Sequence, residues 1–193
     1  MIAPCDHIEK ESKAYYSHVV YSDDHGATWQ LGGRTPQPFV NECQVAELED
    51  GRLLLNMRNY DHSRRQRQIA FSSDAGQTWH EQQFQQELIE PICQASLRRY
   101  RWNRNEEKGI LIFSNPASDS SRTNMTLRAS NDDGKTWPVA CLLYAGPSAY
   151  SDLAVLADKR MSCLYECGVN SPYETISLSR LPVDPWPTLL VKK

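Results

Sequence analysis

The sequence predicts an all-β protein built from repeated antiparallel sheets. Two observations support this fold class: short strand-like segments separated by turn residues run along the whole chain, and one eight-residue motif occurs three times. Helical periodicity is nearly absent, since residues 84–94 favour at most one helical turn, which Pro91 would end. The 193 residues suffice for one domain or for part of a larger one.

The predicted strands are rich in β-branched and aromatic residues and are bounded by turn-forming residues. In chain order they comprise residues 17–22, 43–48, 52–58, 67–73, 93–100, 109–116, 124–130, 152–157, 162–167 and 174–180. Residues 41–59 read as a hairpin with its turn at Glu49, Asp50 and Gly51. The strand at 67–73 then leads into the repeated motif, after which a fourth strand completes one sheet.

The repeated motif is Ser-x-Asp-x-Gly-x-Thr-Trp, and it occurs at residues 22–29, 72–79 and 130–137. Its copies begin 50 and then 58 residues apart, a period typical of β-propeller blades, each of which is a four-stranded sheet. We expect the Asp to accept hydrogen bonds within its own turn, the Gly to adopt a positive φ, and the Trp to be buried between neighbouring sheets. The motif is therefore predicted to be structural.

Composition excludes several classes of function. A net charge of −3 gives no reason to expect a nucleic-acid partner or an anionic membrane surface. No apolar run reaches the roughly 18 residues of a membrane span, and the first residues are too charged for a signal peptide. The cellular compartment stays open.

Six cysteines are scattered along the chain, and we expect most of them to be small buried hydrophobic residues. Cys163 and Cys167 have C-x3-C spacing, but no second Cys or His pair completes a tetrahedral metal site. No metal and no cofactor are predicted. Disulfides remain an open alternative if the protein is secreted.

The motif is the Asp-box, or BNR repeat, and the chain resembles the C-terminal half of a sialidase (neuraminidase). Four segments carry the resemblance, in the family's order: "NECQVAELEDGRLLLNMRN", "FSNPASDSSRTNMTLRASNDDGKTW", "GPSAYSDLAVL" and "CLYECG". The residues that match the family's site are Glu42, Arg58, Arg122, Tyr150 and Glu166.

The resemblance implies a six-bladed β-propeller, of which residues 1–193 supply about three to four blades, and an exo-α-sialidase acting on sialylated glycans. Tyr150 matches the nucleophile, Glu42 its general base, and Arg58 and Arg122 two of three arginines that bind the substrate carboxylate. Glu166 matches a glutamate that orients an arginine. One of these residues also stands out without the resemblance: Glu42 lies in a hydrophobic strand, where an unpaired carboxylate is costly.

The family's first arginine and its aspartic acid/base have no match in this sequence. Asp24 belongs to an Asp-box turn, and Asp6 lacks the family's context, so neither is expected to replace the acid. We therefore expect the chain alone to be inactive, and to pair with an N-terminal half or with itself. Two alternatives stay open: a non-catalytic sialoside-binding or scaffold propeller, and a trans-sialidase, which shares the nucleophile.

Overall fold

The computed structural model describes residues 1–104 and 108–181, and over these residues the chain forms thirteen β-strands and no helix. The chain divides into two compact units, Met1–Gln86 and Glu87–Lys193. Residues 182–193, which the sequence assigns to the same domain, lie outside the described part. No helix within that part has the length and apolar character needed to cross a bilayer.

The first unit contains two sheets. The strands are β1 (Ile2–Ile8), β2 (Tyr15–Tyr21), β3 (Gln30–Arg34), β4 (Val40–Glu47), β5 (Leu53–Asn59), β6 (Gln66–Ser72) and β7 (His80–Ile89). β1 to β3 form a three-stranded sheet and β4 to β7 a four-stranded sheet, both in chain order. The four-stranded sheet has the predicted hairpin at its start, with Gly51 at φ 83° in the turn.

The second unit contains one six-stranded sheet, again in chain order. Its strands are β8 (Ser96–Arg101), β9 (Ile110–Pro116), β10 (Thr123–Ser130), β11 (Val139–Val155), β12 (Met161–Cys167) and β13 (Thr175–Leu181). The long strand β11 pairs with β10 along its first part and with β12 along its second. The core of the second unit is formed by apolar side chains from β9 to β12, among them Ile112, Leu127, Leu153 and Cys163.

The three Asp-boxes have the same hydrogen bonds. In the second copy, the Asp74 carboxylate accepts from the Thr78 amide at 2.9 Å and from the Thr78 hydroxyl at 2.6 Å. The Ser72 hydroxyl accepts from the amide of Gly76, whose φ is 87°. The first and third copies repeat these contacts. The predictions for the Asp and the Gly are confirmed: the side chains of the motif stabilise its own turn.

The prediction for the Asp-box tryptophans is confirmed in two copies and wrong in one. Trp79 and Trp137 are only 6% and 2% exposed, whereas Trp29 is 46% exposed. β3 of the neighbouring sheet covers Trp79, whose indole donates to the Gly33 carbonyl at 3.0 Å. A Cβ on Gly33 would collide with the backbone of Gln77, so glycine permits this approach.

The structure also tests two further expectations, one about a helical turn and one about the cysteines. Residues 84–89 continue β7, so the prediction of a helical turn there is wrong. All six cysteines are free thiols, and four of them are buried as expected. Burial raises the pKa of the Cys43 and Cys163 thiols to about 12, which keeps them protonated and unreactive at neutral pH.

Candidate active site

In the first unit, the structure brings Glu42 and Arg58 together. The two residues lie on adjacent strands, β4 and β5, whose register is irregular between Val40 and Cys43. The Glu42 carboxylate accepts from Arg58 Nη1 at 2.6 Å, and the two side chains are 29% and 11% exposed. A carboxylate in a hydrophobic strand is costly unless it is paired, and Arg58 is the partner that Glu42 needs.

Aromatic rings flank this ion pair. The Arg58 guanidinium carbon lies 4.8 Å from the centroid of the Tyr60 ring, a cation–π contact. Tyr15 stacks on Tyr60, with centroids 5.0 Å apart and planes 10° from parallel. Burial raises the pKa of Tyr60, and the negative charge of Glu42 adds to this effect, while Arg58 opposes it. Tyr60 is therefore a neutral phenol at physiological pH.

Asp6, on β1, lies in the electrostatic environment of Glu42. Its carboxylate accepts from the Asn41 side-chain amide at 2.7 Å. Burial raises its pKa, and the charge of Glu42 raises it further. Asp6 matches no residue of the family's site, but its carboxyl group lies within the electrostatic influence of Glu42.

In the second unit, the structure brings Arg122 and Tyr150 together. Arg122 immediately precedes β10, and Tyr150 lies in the middle of β11. The Arg122 guanidinium carbon is 5.9 Å from the centroid of the Tyr150 ring. Arg122 also donates from Nη1 to the Tyr173 hydroxyl at 2.6 Å and from Nη2 to the Ile92 carbonyl at 3.2 Å. A fixed guanidinium beside a phenol is suited to holding a carboxylate next to a nucleophilic oxygen.

Glu166, on β12, fixes the backbone at Tyr150. The register of β11 and β12 passes from Ser148–Cys167 to Ser151–Tyr165, so Ala149 and Tyr150 together oppose Glu166. Such a β-bulge redirects a side chain, as bulges near active sites do. The Glu166 carboxylate accepts from the Tyr150 amide at 3.0 Å. The sialidase resemblance implies that Glu166 orients an arginine, which stays a prediction; the contact that the structure shows is with the main chain of Tyr150.

An open pocket of about 230 Å³ lies beside Tyr150 in the second unit. Its lining combines polar and apolar side chains, including Gln94, Tyr150, Asp152, Leu164, Glu166 and Ile176. Gln94 is anchored by two hydrogen bonds to the backbone of Ser151, at 3.0 and 2.9 Å. A mixed lining of this kind suits a small ligand with both polar and apolar surfaces.

All five residues predicted for the site thus fall into two clusters, one in each unit. Glu42 pairs with Arg58 in the first, and Arg122, Tyr150 and Glu166 lie together in the second. Sequence reasoning missed Tyr173 and Ile92, which hold Arg122. Both are distant from Arg122 in sequence, and neither matches a motif.

Comparisons with known proteins identify the family and the fold of the chain. Residues 1–163 match the family model of the BNR repeat-like domain. A sialidase of Micromonospora viridifaciens is 37% identical over 171 residues, covering 87% of this chain and 26% of that protein. The Hadza microbial sialidase Hz136 superposes with a TM-score of 0.78 at 34% identity, over 93% of this chain and 35% of that one.

A third similarity supports the fold alone. The intramolecular trans-sialidase of Ruminococcus gnavus superposes with a TM-score of 0.73 at 21% identity, over 91% of this chain and 41% of that one. The chain therefore spans about a quarter of the Micromonospora relative and less than half of either solved structure.

Proposed function

Since this chain belongs to the BNR-repeat family of sialidases, we propose that it contributes to an exo-α-sialidase, which hydrolyses terminal sialic acids from glycoconjugates with retention of configuration. The observation that carries the proposal is the position of the Arg122 guanidinium beside the Tyr150 ring, above a backbone fixed by Glu166. We also propose that residues 1–193 form three to four blades of a six-bladed β-propeller.

The chemistry of sialic acid explains why these residue types would be needed. Its carboxylate is attached directly to the anomeric carbon, and arginine forks such as those of Arg58 and Arg122 pair well with a carboxylate. The same negative charge disfavours an Asp or Glu nucleophile, and sialidases with a tyrosine nucleophile are a known exception to the two-carboxylate scheme of glycosidases.

In the proposed mechanism, the Tyr150 hydroxyl oxygen attacks the anomeric carbon and forms a tyrosyl–glycosyl intermediate. A phenol has a pKa of about 10 and needs a base to attack at neutral pH, the role assigned to Glu42. The oxygen of the leaving group takes a proton from an acid, and water then hydrolyses the intermediate. Glu166 orients an arginine of the cluster and holds the main chain of the nucleophile.

The proposed activity also requires two residues of the family's site that have no match in this sequence. Because the first arginine and the aspartic acid of the family have no match here, the chain alone is inactive and acts by pairing with an N-terminal half that supplies them. Pairing with a second copy is the alternative way to cover an exposed sheet face, and it adds neither residue. Product analysis separates hydrolysis from transfer to an acceptor. A propeller that serves only as a scaffold needs neither the guanidinium–phenol contact nor the Glu42–Arg58 ion pair.

A chimera tests this function directly. The 193 residues replace the matched segment of the Micromonospora sialidase, and turnover of a fluorogenic sialoside is compared with that of the isolated chain. We expect turnover by the chimera only, and a loss of about 100-fold or more in kcat on Tyr150→Phe. Robust turnover by the isolated chain would contradict its inactivity, and an unchanged kcat would remove Tyr150 as the nucleophile.

A further inference from the structure

We propose that Tyr173 is a positioning residue that fixes Arg122 for binding a substrate carboxylate. This inference rests on the proposed function and adds a residue that the sialidase resemblance does not assign. The Tyr173 hydroxyl accepts from Arg122 Nη1 at 2.6 Å, although 51 residues separate the two along the chain. The contact is short and charge-assisted, which makes it one of the stronger kinds of hydrogen bond in proteins.

The partners of Arg122 are suited to positioning because they leave its charge available. Among the described residues, its hydrogen-bond acceptors are a phenol, on Tyr173, and a backbone carbonyl, on Ile92. Both are neutral, whereas Arg58 is neutralised by Glu42. Arg122 uses two of its five N–H donors in these contacts, and the remaining donors, with the full positive charge, can bind a carboxylate.

The loop that carries Tyr173 is stabilised by hydrogen bonds to its own backbone. The Glu174 carboxylate accepts from the amides of Val169, Asn170 and Ser171, at 2.8, 3.1 and 3.0 Å. At the start of the loop, a Cβ on Gly168 would collide with the Ser171 carbonyl, so the turn is too tight for any other residue. Tyr173 is 61% exposed, and these contacts stabilise the backbone from which its side chain reaches Arg122.

The second partner of Arg122 has a strained backbone. Ile92 has a φ of 57°, a conformation that a β-branched residue adopts only when its surroundings impose it. Such strain costs on the order of 1–3 kcal/mol and concentrates at functional sites. The carbonyl group of this strained residue is the one that accepts from Arg122 Nη2. Two constrained segments therefore hold the two Nη atoms, so little side-chain entropy remains to be lost when a ligand binds.

Tyr173→Phe in the full chain tests the proposal with two readouts. The first is the Arg122 side-chain Nε–H signal in ¹⁵N NMR, assigned with Arg122→Lys, which requires no ligand. The second, measured on the chimera with the Micromonospora sialidase, is the dissociation constant of N-acetylneuraminic acid, compared with that of its methyl ester, which lacks the carboxylate charge. Tyr21→Phe is the matched control, because it removes a tyrosine hydroxyl that bonds to Gln30 at 3.1 Å on another hairpin.

We expect Tyr173→Phe to shift the Arg122 signal and make the side chain more mobile. We also expect it to weaken binding of the acid about tenfold and leave binding of the ester within about twofold. Tyr21→Phe should change neither. An unchanged Arg122 signal overturns the proposal, as does equal weakening of acid and ester. If the wild-type chimera binds no sialic acid, the proposed function fails separately, and the Arg122 signal of the chain alone decides whether Tyr173 positions it.

Discussion

At the scale of single residues, the ion pair of Glu42 and Arg58 combines stability with a proposed catalytic role. The two groups are 2.6 Å apart and largely removed from solvent. Pairing removes most of the cost of burying each charge, and it also fixes the direction of the Glu42 carboxylate. A general base must be directed in this way, because proton transfer requires hydrogen-bond reach.

We predict that Glu42→Gln lowers the free energy of unfolding by about 1–3 kcal/mol, since it removes a counter-charge that pairs with a nearly buried guanidinium. Urea unfolding measures the loss. Asp158→Asn is the control, because Asp158 and Arg160 form a pair of the same 2.6 Å length with both side chains nearly half exposed. The control should remain close to wild type. A Glu42→Gln variant as stable as the control would show that the pair contributes little to the fold.

The aspartates of the Asp-boxes give stability a specific dependence on pH. Hydrogen bonds from the threonine hydroxyl and backbone amide lower the pKa of Asp24 and Asp74 to about 2. In the unfolded chain an aspartate has a pKa of about 3.9. A group with a lowered folded-state pKa stabilises the fold above the unfolded value, and this contribution is lost as the pH falls from about 4 to about 2.

We therefore expect Asp74→Asn to lower the unfolding temperature at pH 5 and to differ much less from wild type near pH 2. Thermal unfolding followed by circular dichroism across this range measures the difference. Asp119→Asn, at an exposed position outside the motif, should follow wild type throughout. A constant gap between Asp74→Asn and wild type from pH 5 to pH 2 would contradict the assignment.

At the scale of secondary-structure elements, the tryptophan of the same motif is buried to different extents in different copies. Trp137 is buried and lies 5.8 Å from Phe113, ring centroid to centroid, while Trp29 is nearly half exposed. The eight-residue motif is therefore sufficient to form its turn, but burial of its tryptophan depends on the strand that covers it.

This difference predicts unequal effects for one substitution. Trp137→Ala should cost about 3–5 kcal/mol of unfolding free energy, because it opens a large cavity in the core of the second unit. Trp29→Ala, the control within the same motif, should cost less than about 1 kcal/mol. Chemical denaturation of both variants provides the comparison. Equal losses would mean that Trp29 is buried in solution.

The strands that sequence reasoning missed, β1 and β3, and the one it expected without bounds, β7, share a physical cause. β7, with the sequence "HEQQFQQELI", is mostly polar, and only Gln85 and Leu88 are buried in it. β3 contains two adjacent glycines, and β1 begins at the second residue of the chain. Such strands form because they pair with a neighbouring strand. Their own sequences show no alternating apolar pattern from which they could be predicted. The buried strand β9, by contrast, was predicted within one residue.

Residues of the candidate site could be predicted where they belong to a family motif, or where the sequence places a charged group in an apolar strand. Glu42 stood out because a carboxylate in a hydrophobic strand needs a partner. The contacts of Arg122 with Tyr173 and Ile92 were not predictable, because they join a strand start to two loops that are far from it in sequence. Positioning by a backbone carbonyl leaves no signal in residue identity.

At the scale of the whole molecule, the central proposal is that these residues supply the nucleophile of a sialidase. The chain spans only part of its relatives, so the proposal concerns the function it supports when the remaining residues of the family's site are present. The chimera with the Micromonospora sialidase provides them.

The most direct measurement traps the covalent intermediate. The chimera is incubated with a 2,3-difluorosialic acid, which forms the intermediate but slows its hydrolysis, and the digested protein is analysed by tandem mass spectrometry. We predict a glycosyl adduct on Tyr150, absent from the Tyr150→Phe chimera. An active chimera whose adduct forms on Glu42 or another residue, or whose Tyr150→Phe variant is labelled equally, would contradict the account.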